Sequence, residues 1–446
     1  MARTKKILSA LLCLLPAAAA ADDWGGSLGL EARRFYQSPQ FANTLSGALN
    51  LNFTRALPGD KTRLAGELFT RKDRDDDARS HHDLRELYYE AVGSHYEFRA
   101  GNRRVYWGVT EARHLVDLIN QSDFVEDLDN RSKLGQPMLS YNWIGAWGAA
   151  EFFLMPYQRA RSYPGPRGHP QLPFPVDADD ALYQSPRKQH HLDGAVRYRQ
   201  SFGALDLGLA YFDGTAREPR ILPCLRRGSG FAGTGSGPNC DIFSGIRIPQ
   251  SPLPGQLTPF LQALGLAPSD EEVAAQITQQ VLANIVLVPD YRRLKQFSLD
   301  AQYVLDAWAF KLEALTRDLG GGHSLAAVGG FEYTLGDAWN SGWDVGVLAE
   351  YLYDQNVDLV SSRYDHDYFF GTRWSANDIA GTQILAGGIV DKSRRQRAWQ
   401  LEASRRLNDS LKATLKWRAF AGGNGNPYLD FLQHEDLLSL TLEYFF

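Results

Sequence analysis

Long apolar runs are missing from this chain. Mean hydropathy is −0.34, and a helical membrane protein, which needs spans of about 20 apolar residues, is excluded. An excess of positive charge is missing too: 47 basic against 52 acidic side chains give a net charge of −5 over 446 residues, and a nucleic-acid binder lacks its basic footprint. No G-x-S-x-G, P-loop or dinucleotide fingerprint occurs, and Gly320–Gly322 reads as a turn rather than a phosphate cradle. Aromatic residues, by contrast, are plentiful. The 10 Trp, 20 Tyr and 23 Phe exclude a disordered chain.

Sulfur is scarce, with 3 Cys and 3 Met. Cys13 falls inside an N-terminal targeting pattern: Arg3, Lys5 and Lys6, then apolar Ile7 to Leu15, Pro16, and the Ala17–Ala21 tract before Asp22. This pattern predicts a secretory signal peptide over 1–21 and a mature barrel domain over 22–446. The remaining cysteines, Cys224 and Cys240, form a predicted disulfide in an exported protein.

Beyond the signal the dominant period is two. In 411–420, Leu411, Ala413, Leu415, Trp417 and Ala419 share one face, and Lys412, Thr414, Lys416 and Arg418 the other. The stretches 294–305 and 342–354 alternate in the same way. Such alternation marks a strand with one apolar side. The strands are longer than the 5 to 6 residues usual in soluble sheets and match the 9 to 11 of a tilted membrane strand, on the order of ~10 residues. Aromatics such as Trp308, Tyr333, Trp343, Tyr353, Trp399 and Tyr444 sit near strand ends, as interfacial girdles require.

Candidate strands fall at 25–36, 43–56, 62–72, 83–92, 95–104, 137–143, 148–156, 190–200, 204–213, 294–305, 308–318, 324–335, 342–354, 364–374, 382–390, 396–406, 411–420 and 434–446. Tight connections alternate with long ones at 73–82, 105–136, 157–189, 214–293, 355–363 and 421–433. The expected fold is all-β: a transmembrane antiparallel β-barrel of about 18 strands, or 16 if the weakly patterned 137–156 and 364–390 each lose one, with long external loops. Both termini then lie on the short-turn side. The last strand alternates through Leu438, Leu440, Leu442 and Tyr444 to Phe446, and this terminal aromatic resembles the assembly signal of bacterial outer-membrane barrels.

Inward positions carry charges of both signs, and a barrel of this size is wide enough for water. Arg99, Arg103, Arg197, Arg199, Arg406, Lys412, Lys416 and Arg418 are the candidate pore-lining cations. The group around Lys412, Lys416 and Arg418, near Arg406, would form a track favouring anions. The bland reading is that these charges pair across the wall. Segment 214–293 predicts a loop helix over about 269–288, with Ser269 and Glu272 as a capping box and a stripe of Val273, Ile277, Val281, Ile285 and Val288. This segment either restricts the pore or caps it from outside. The acidic run Asp73 to Asp77 reads as a solvated loop, and the pairs His81–His82 and His190–His191 as loop residues. Neither has zinc-site spacing, so no metal and no cofactor are expected.

The stretch Phe98 to Gly108 (FRAGNRRVYWG), followed by Leu118 to Asp123 (LINQSD), resembles proteobacterial outer-membrane barrels of the porin-like and alginate-export type. Gly101, Trp107, Gly108, Asn120 and Asp123 match that pattern, whereas Gln121 stands where the family has Pro. The resemblance implies an outer-membrane channel, not an enzyme, for diffusion or export of polar or anionic solutes or of a polymer. In that motif 105–136 has room to turn inward, with Trp107 as an anchor and Arg103, Arg104, Arg113 and Asp117 near the opening. The signal and barrel together imply a Gram-negative outer membrane, with lipid, lipopolysaccharide and the barrel assembly machinery as partners, and no nucleic acid. Two other classes compete: a surface adhesin or scaffold with a plugged lumen, and a barrel enzyme using Ser361 or Ser362 with His366.

Overall fold

The computed structural model describes residues 23–38, 42–59, 61–129, 131–227, 238–241, 279–355, 366–392, 396–422 and 432–446. The proposed signal at 1–21 lies outside them. The strands are β1 (Asp23–Phe35), β2 (Asn43–Ala56), β3 (Thr62–Asp73), β4 (His81–Val92), β5 (Tyr96–Arg103), β6 (Gln136–Gly145), β7 (Gly148–Met155), β8 (Leu182–Tyr183), β9 (Asp193–Phe202), β10 (Leu205–Thr215) and β11 (Arg220–Leu225). They continue as β12 (Ile285–Tyr291), β13 (Arg293–Leu305), β14 (Trp308–Asp318), β15 (His323–Leu335), β16 (Asp344–Asp354), β17 (His366–Ser375), β18 (Gln383–Asp391), β19 (Arg397–Arg406), β20 (Leu411–Ala421) and β21 (Leu437–Phe445).

All but β8, β11 and β12 belong to one 18-stranded antiparallel sheet. It closes where β1 pairs with β21, Leu28 opposite Tyr444 and Ala32 opposite Leu440. Gly26 and Phe446 exchange backbone hydrogen bonds of 3.0 and 3.1 Å at the seam. Closure leaves no strand edge unpaired, the condition for a sheet to sit in hydrocarbon.

The alternation in sequence becomes an inside and an outside. Leu28, Leu30, Leu209, Phe297, Leu312, Val347, Leu415, Trp417 and Leu440 are exposed on the outer face. Their neighbours Glu313, Leu348, Glu350, Gln296 and Ser439 are buried on the inner one. Trp24, Tyr96, Trp143, Phe202, Tyr303, Trp308 and Tyr444 ring the short-turn end, and Tyr36, Tyr368 and Trp399 stand exposed toward the other. Every strand expected from the period-two pattern is present, and 137–156 and 364–390 each contribute their full pair.

At the long-loop end, β11 pairs antiparallel with β12, and β12 pairs parallel with β8. Cys224 and Cys240 are joined by a disulfide beside buried Val286 and Val288. The expected helix over 269–288 is corrected here. Residues 279–283 are helical, but Ile285 to Val288 belong to β12, and residues 242–278 lie outside the described residues. All seven residues of β12 (IVLVPDY) are buried. A short β-branched run buried on both sides carries no period, so its valines mimicked a helical stripe. The histidine pair is also corrected: His81 and His82 open β4 rather than occupying a loop. Nor is the acidic run solvated throughout. Asp73 and Asp76 are buried and accept backbone hydrogen bonds from Asp75, Asp76, Ala78 and Gly165.

Candidate functional site: an inward loop across the lumen

The connection 104–135 leaves the barrel end of β5 and turns inward. Its neck is tied by Asn120. The side-chain oxygen accepts from the Val105 amide at 2.8 Å, and the side-chain nitrogen donates to the carbonyls of Arg103 at 2.7 Å and Leu134 at 2.9 Å. Two antiparallel backbone bonds, Asp123 to Ser132 and Leu134 to Gln121, each 2.8 Å, extend this stem. Buried Gln121, standing where the resembled family has Pro, accepts from the Ser122 amide at 3.0 Å and from Arg161 at 3.4 Å.

Two apolar anchors seat the loop. Trp107, Val116, Leu118 and Ile119 pack on Met138, Phe153, Met155 and Phe212 of the inner wall. Trp107 meets Phe153 edge-on at 5.7 Å and lies under the Arg197 guanidinium at 4.8 Å. Leu115 packs on Leu315, Val328, Leu348, Leu352 and Phe369 from β14 to β17. The inner wall is therefore not uniformly polar.

Buried carboxylates of the wall then gather the loop's amides. One oxygen of Glu313 accepts from the amides of Val109 at 2.7 Å and Thr110 at 2.9 Å and from the Thr110 hydroxyl at 2.7 Å; the other accepts from the Val116 amide at 3.1 Å. Glu350 accepts from the amides of Glu111 at 2.7 Å and Ala112 at 2.8 Å. A buried carboxylate costs several kcal/mol unless donors surround it, on the order of ~5 for an ion left bare; the loop supplies those donors. Gly108 has φ +116°, and a Cβ there would stand 2.7 Å from the Glu313 carboxylate, so the wrap requires glycine.

The loop's own charges complete the crossing. Arg113 pairs with Asp354 at 3.1 Å, and Glu111 with Arg373 of β17 at 2.6 Å. Glu126 pairs with Arg71 of β3 at 2.8 Å, and Asp127 with Lys416 at 2.9 Å and Arg418 at 2.7 Å on β20. Since β17 lies across the ring from β5, these contacts carry the loop over the lumen and narrow it at mid-height. Burial works against ionisation of Asp127, but Arg418 and Lys416 outweigh it and hold its carboxyl well below the ordinary range. Burial raises Asp117 despite Lys133 at 3.3 Å, and burial plus the Asp127 charge raise Asp129. His114 is raised by the Glu313 carboxylate 3.7 Å from its Nδ1, with burial opposing.

The sequence-derived cations divide into three groups. Lys416 and Arg418 face the lumen but are neutralised by Asp127 from the loop, a pairing no local pattern announces. Arg99 pairs with Glu90 at 2.5 Å and Glu97 at 3.1 Å, Arg197 with Asp300 at 2.8 Å, and Arg103 donates to Ser140 at 2.6 Å. Arg199, Arg406 and Lys412 lie toward the short-turn end and have no ion-pair partner among the described residues; Arg406 rests over Phe445 at 5.3 Å. The Lys412–Arg418 track is thus divided rather than continuous. Sequence reasoning put charges of both signs on the inner wall but gave its carboxylates, which include Glu313, Glu350 and Asp354, no role. Ser361 and Ser362 lie outside the described residues, and His366 bonds the Tyr351 hydroxyl at 2.6 Å. Against the loop, Glu111, Arg131, Arg217, Gln296, Arg317 and Gln400 line a cavity of about 270 Å³.

No family model matches this chain, and no curated protein matches it. Among solved structures it is similar to a BenF-like porin from Pseudomonas fluorescens Pf-5, with TM-score 0.48, 9% identity, and 96% of this chain and 99% of that one covered. OccK8 (OprE) of Pseudomonas aeruginosa gives TM-score 0.47 and 12% identity over 96% and 98%. A triple mutant of the Rhodopseudomonas blastica porin gives 0.42 and 13% over 95% and 99%.

Proposed function

We propose that this chain is a porin-type diffusion channel of a bacterial outer membrane, passing small polar solutes with a mild preference for anions. The observation that carries the reading is the loop 104–135, pinned across the lumen of a closed 18-stranded barrel by Glu313, Glu350 and Asp127. A barrel with an apolar outer belt and aromatic girdles belongs in lipid. Residence in the outer membrane brings contact with lipopolysaccharide and folding by the barrel assembly machinery. The narrowing favours small solutes over an exported polymer of the alginate type. Arg199, Arg406 and Lys412, without ion-pair partners among the described residues, supply the cations of the short-turn mouth, where Glu443 stands opposite Lys412 across β20 and β21.

The apolar anchors on both sides of the loop favour one competitor, a barrel plugged by its own loop and used as a scaffold. Planar-bilayer recording separates the two. A channel gives discrete conductance steps and a reversal potential in a KCl gradient displaced toward the chloride value. Insertion without current contradicts the proposal.

A further inference from the structure

We infer that His81, Asp123 and Glu126 form a binding site for a divalent first-row transition ion of the Zn²⁺ class, at the joint between the wall and the inward loop. The ligand atoms lie within 4.8 Å of one another. The Nε2 of His81 is 3.5 Å from Asp123 Oδ2 and 3.8 Å from Glu126 Oε1. Atoms bound about 2.0–2.1 Å from a tetrahedral ion stand about 3.3–3.4 Å apart, so the three are nearly in place before any ion arrives.

The surroundings orient each ligand. The other ring nitrogen of His81, Nδ1, lies 2.9 Å from the Arg79 carbonyl. A proton held in that bond leaves the Nε2 lone pair turned toward the two carboxylates, the tautomer of a metal-bound imidazole fixed by a backbone carbonyl. Asp123 is 1% exposed; its Oδ1 accepts from Ser162 at 2.7 Å. Its Oδ2 and the His81 Nε2 are both buried without a hydrogen-bond partner. Two buried acceptors facing each other with nothing between them is a costly arrangement that a bound cation relieves. Arg71 holds Glu126 by bonds of 2.8 to 3.0 Å; Oε2 accepts two of them, whereas Oε1, the oxygen nearer His81, accepts one and keeps a second lone pair.

Imidazole with two carboxylates selects Zn²⁺-class ions over Ca²⁺ and Mg²⁺, which take oxygen ligands throughout. A polar cavity of about 460 Å³, lined by His81, Asp83, Asp123, Arg159 and Lys188, gives entry and room for a water as fourth ligand. The cations Arg71 and Arg85, the latter 3.9 Å from Asp123 Oδ2, reduce the affinity and set it below that of a closed structural site. Because His81 belongs to β4 and the two carboxylates to 104–135, an ion bound here clamps the loop to the wall.

The test is calorimetric titration of ZnCl₂ into the chelator-stripped, folded barrel, with His81→Ala and the neighbouring His82→Ala alongside. One saturable equivalent is expected in the wild type and in His82→Ala, weakened more than about tenfold in His81→Ala. Cobalt(II) added to the wild type alone gives the visible absorption of a four-coordinate nitrogen–oxygen site, which keeps the test valid if His81→Ala fails to fold. Absence of saturable binding, as a His81 carrying only a proton would give, overturns the inference. So does equal binding in His81→Ala, or a cobalt spectrum of the hexaaquo ion. None of these results bears on conductance, so this inference and the channel reading fail separately.

Discussion

The connections 104–135 and 216–292 both use far more chain than a turn between neighbouring strands needs, yet they are held differently. The first has little structure of its own. Its amides, carboxylates and apolar side chains are satisfied by β3, β14, β16, β17 and β20. The second is rooted in the wall and the inward loop by Arg217, which bonds Asp193 at 2.6 Å and the Ile119 carbonyl at 2.8 Å, but beyond that root its described residues carry structure of their own: β11 pairs with β12, the Cys224–Cys240 bridge sits on Val286 and Val288, and Arg220 pairs with Asp290 at 2.5 Å. A segment that depends on the wall is fixed in the lumen and shapes the passage. The part of the second segment beyond Arg217 can be changed while the passage stays as it was.

Breaking the dependent segment gives the largest effect. Glu313→Gln removes the charge that four donors of the loop address, and loop docking loses about 2–4 kcal/mol. Single-channel recording then shows larger, noisier openings, while circular dichroism shows the β-barrel still folded. Replacing Cys224 and Cys240 by Ala is the matching change in the self-contained segment. The cap loses about 2–4 kcal/mol, seen as faster proteolysis near 216–292, with conductance unaltered. Asp127→Asn is smaller still. It removes the carboxylate that Lys416 and Arg418 share, leaving Lys416 with Glu402 at 3.6 Å, and the reversal potential moves toward chloride by a permeability ratio of about two- to fivefold, as about 0.5–1 kcal/mol at partly wet charges allows.

The smallest effect is a pH dependence. His114 is raised in the folded state by the Glu313 carboxylate beside it, so its contribution to docking is full below the unfolded value of about 6.5 and is lost as pH rises through the higher folded one. Open-channel noise is therefore greater at pH 9 than at pH 6, and His114→Gln removes the difference. Equal noise at both values in the wild type would show that Glu313 holds the loop through its amides alone.

The wall was legible in the sequence because a strand's period is local: Leu411, Leu415 and Trp417 declare one face within a few residues. The lumen was not. The bond from Val116 to Glu313 joins residues 197 positions apart, and that from Lys416 to Asp127 spans 289. No periodicity reports on such pairs. Gly108 and Asn120 were visible as a motif, yet their reasons, a carboxylate against the glycine and a neck tied by three bonds, exist only in the folded chain. Likewise Ile285 and Val288 read as part of one helix face because burial on both sides erases the alternation that identifies a strand.

The most direct test of the central claim is single-channel conductance of three purified barrels: the wild type, one with 109–132 replaced by a short Gly-Ser linker, and one with 226–283 replaced in the same way. If the inward loop sets the passage, the first replacement raises conductance severalfold and the second leaves it at the wild-type value. A rise confined to the 226–283 replacement would place the constriction in the outer segment and contradict the account.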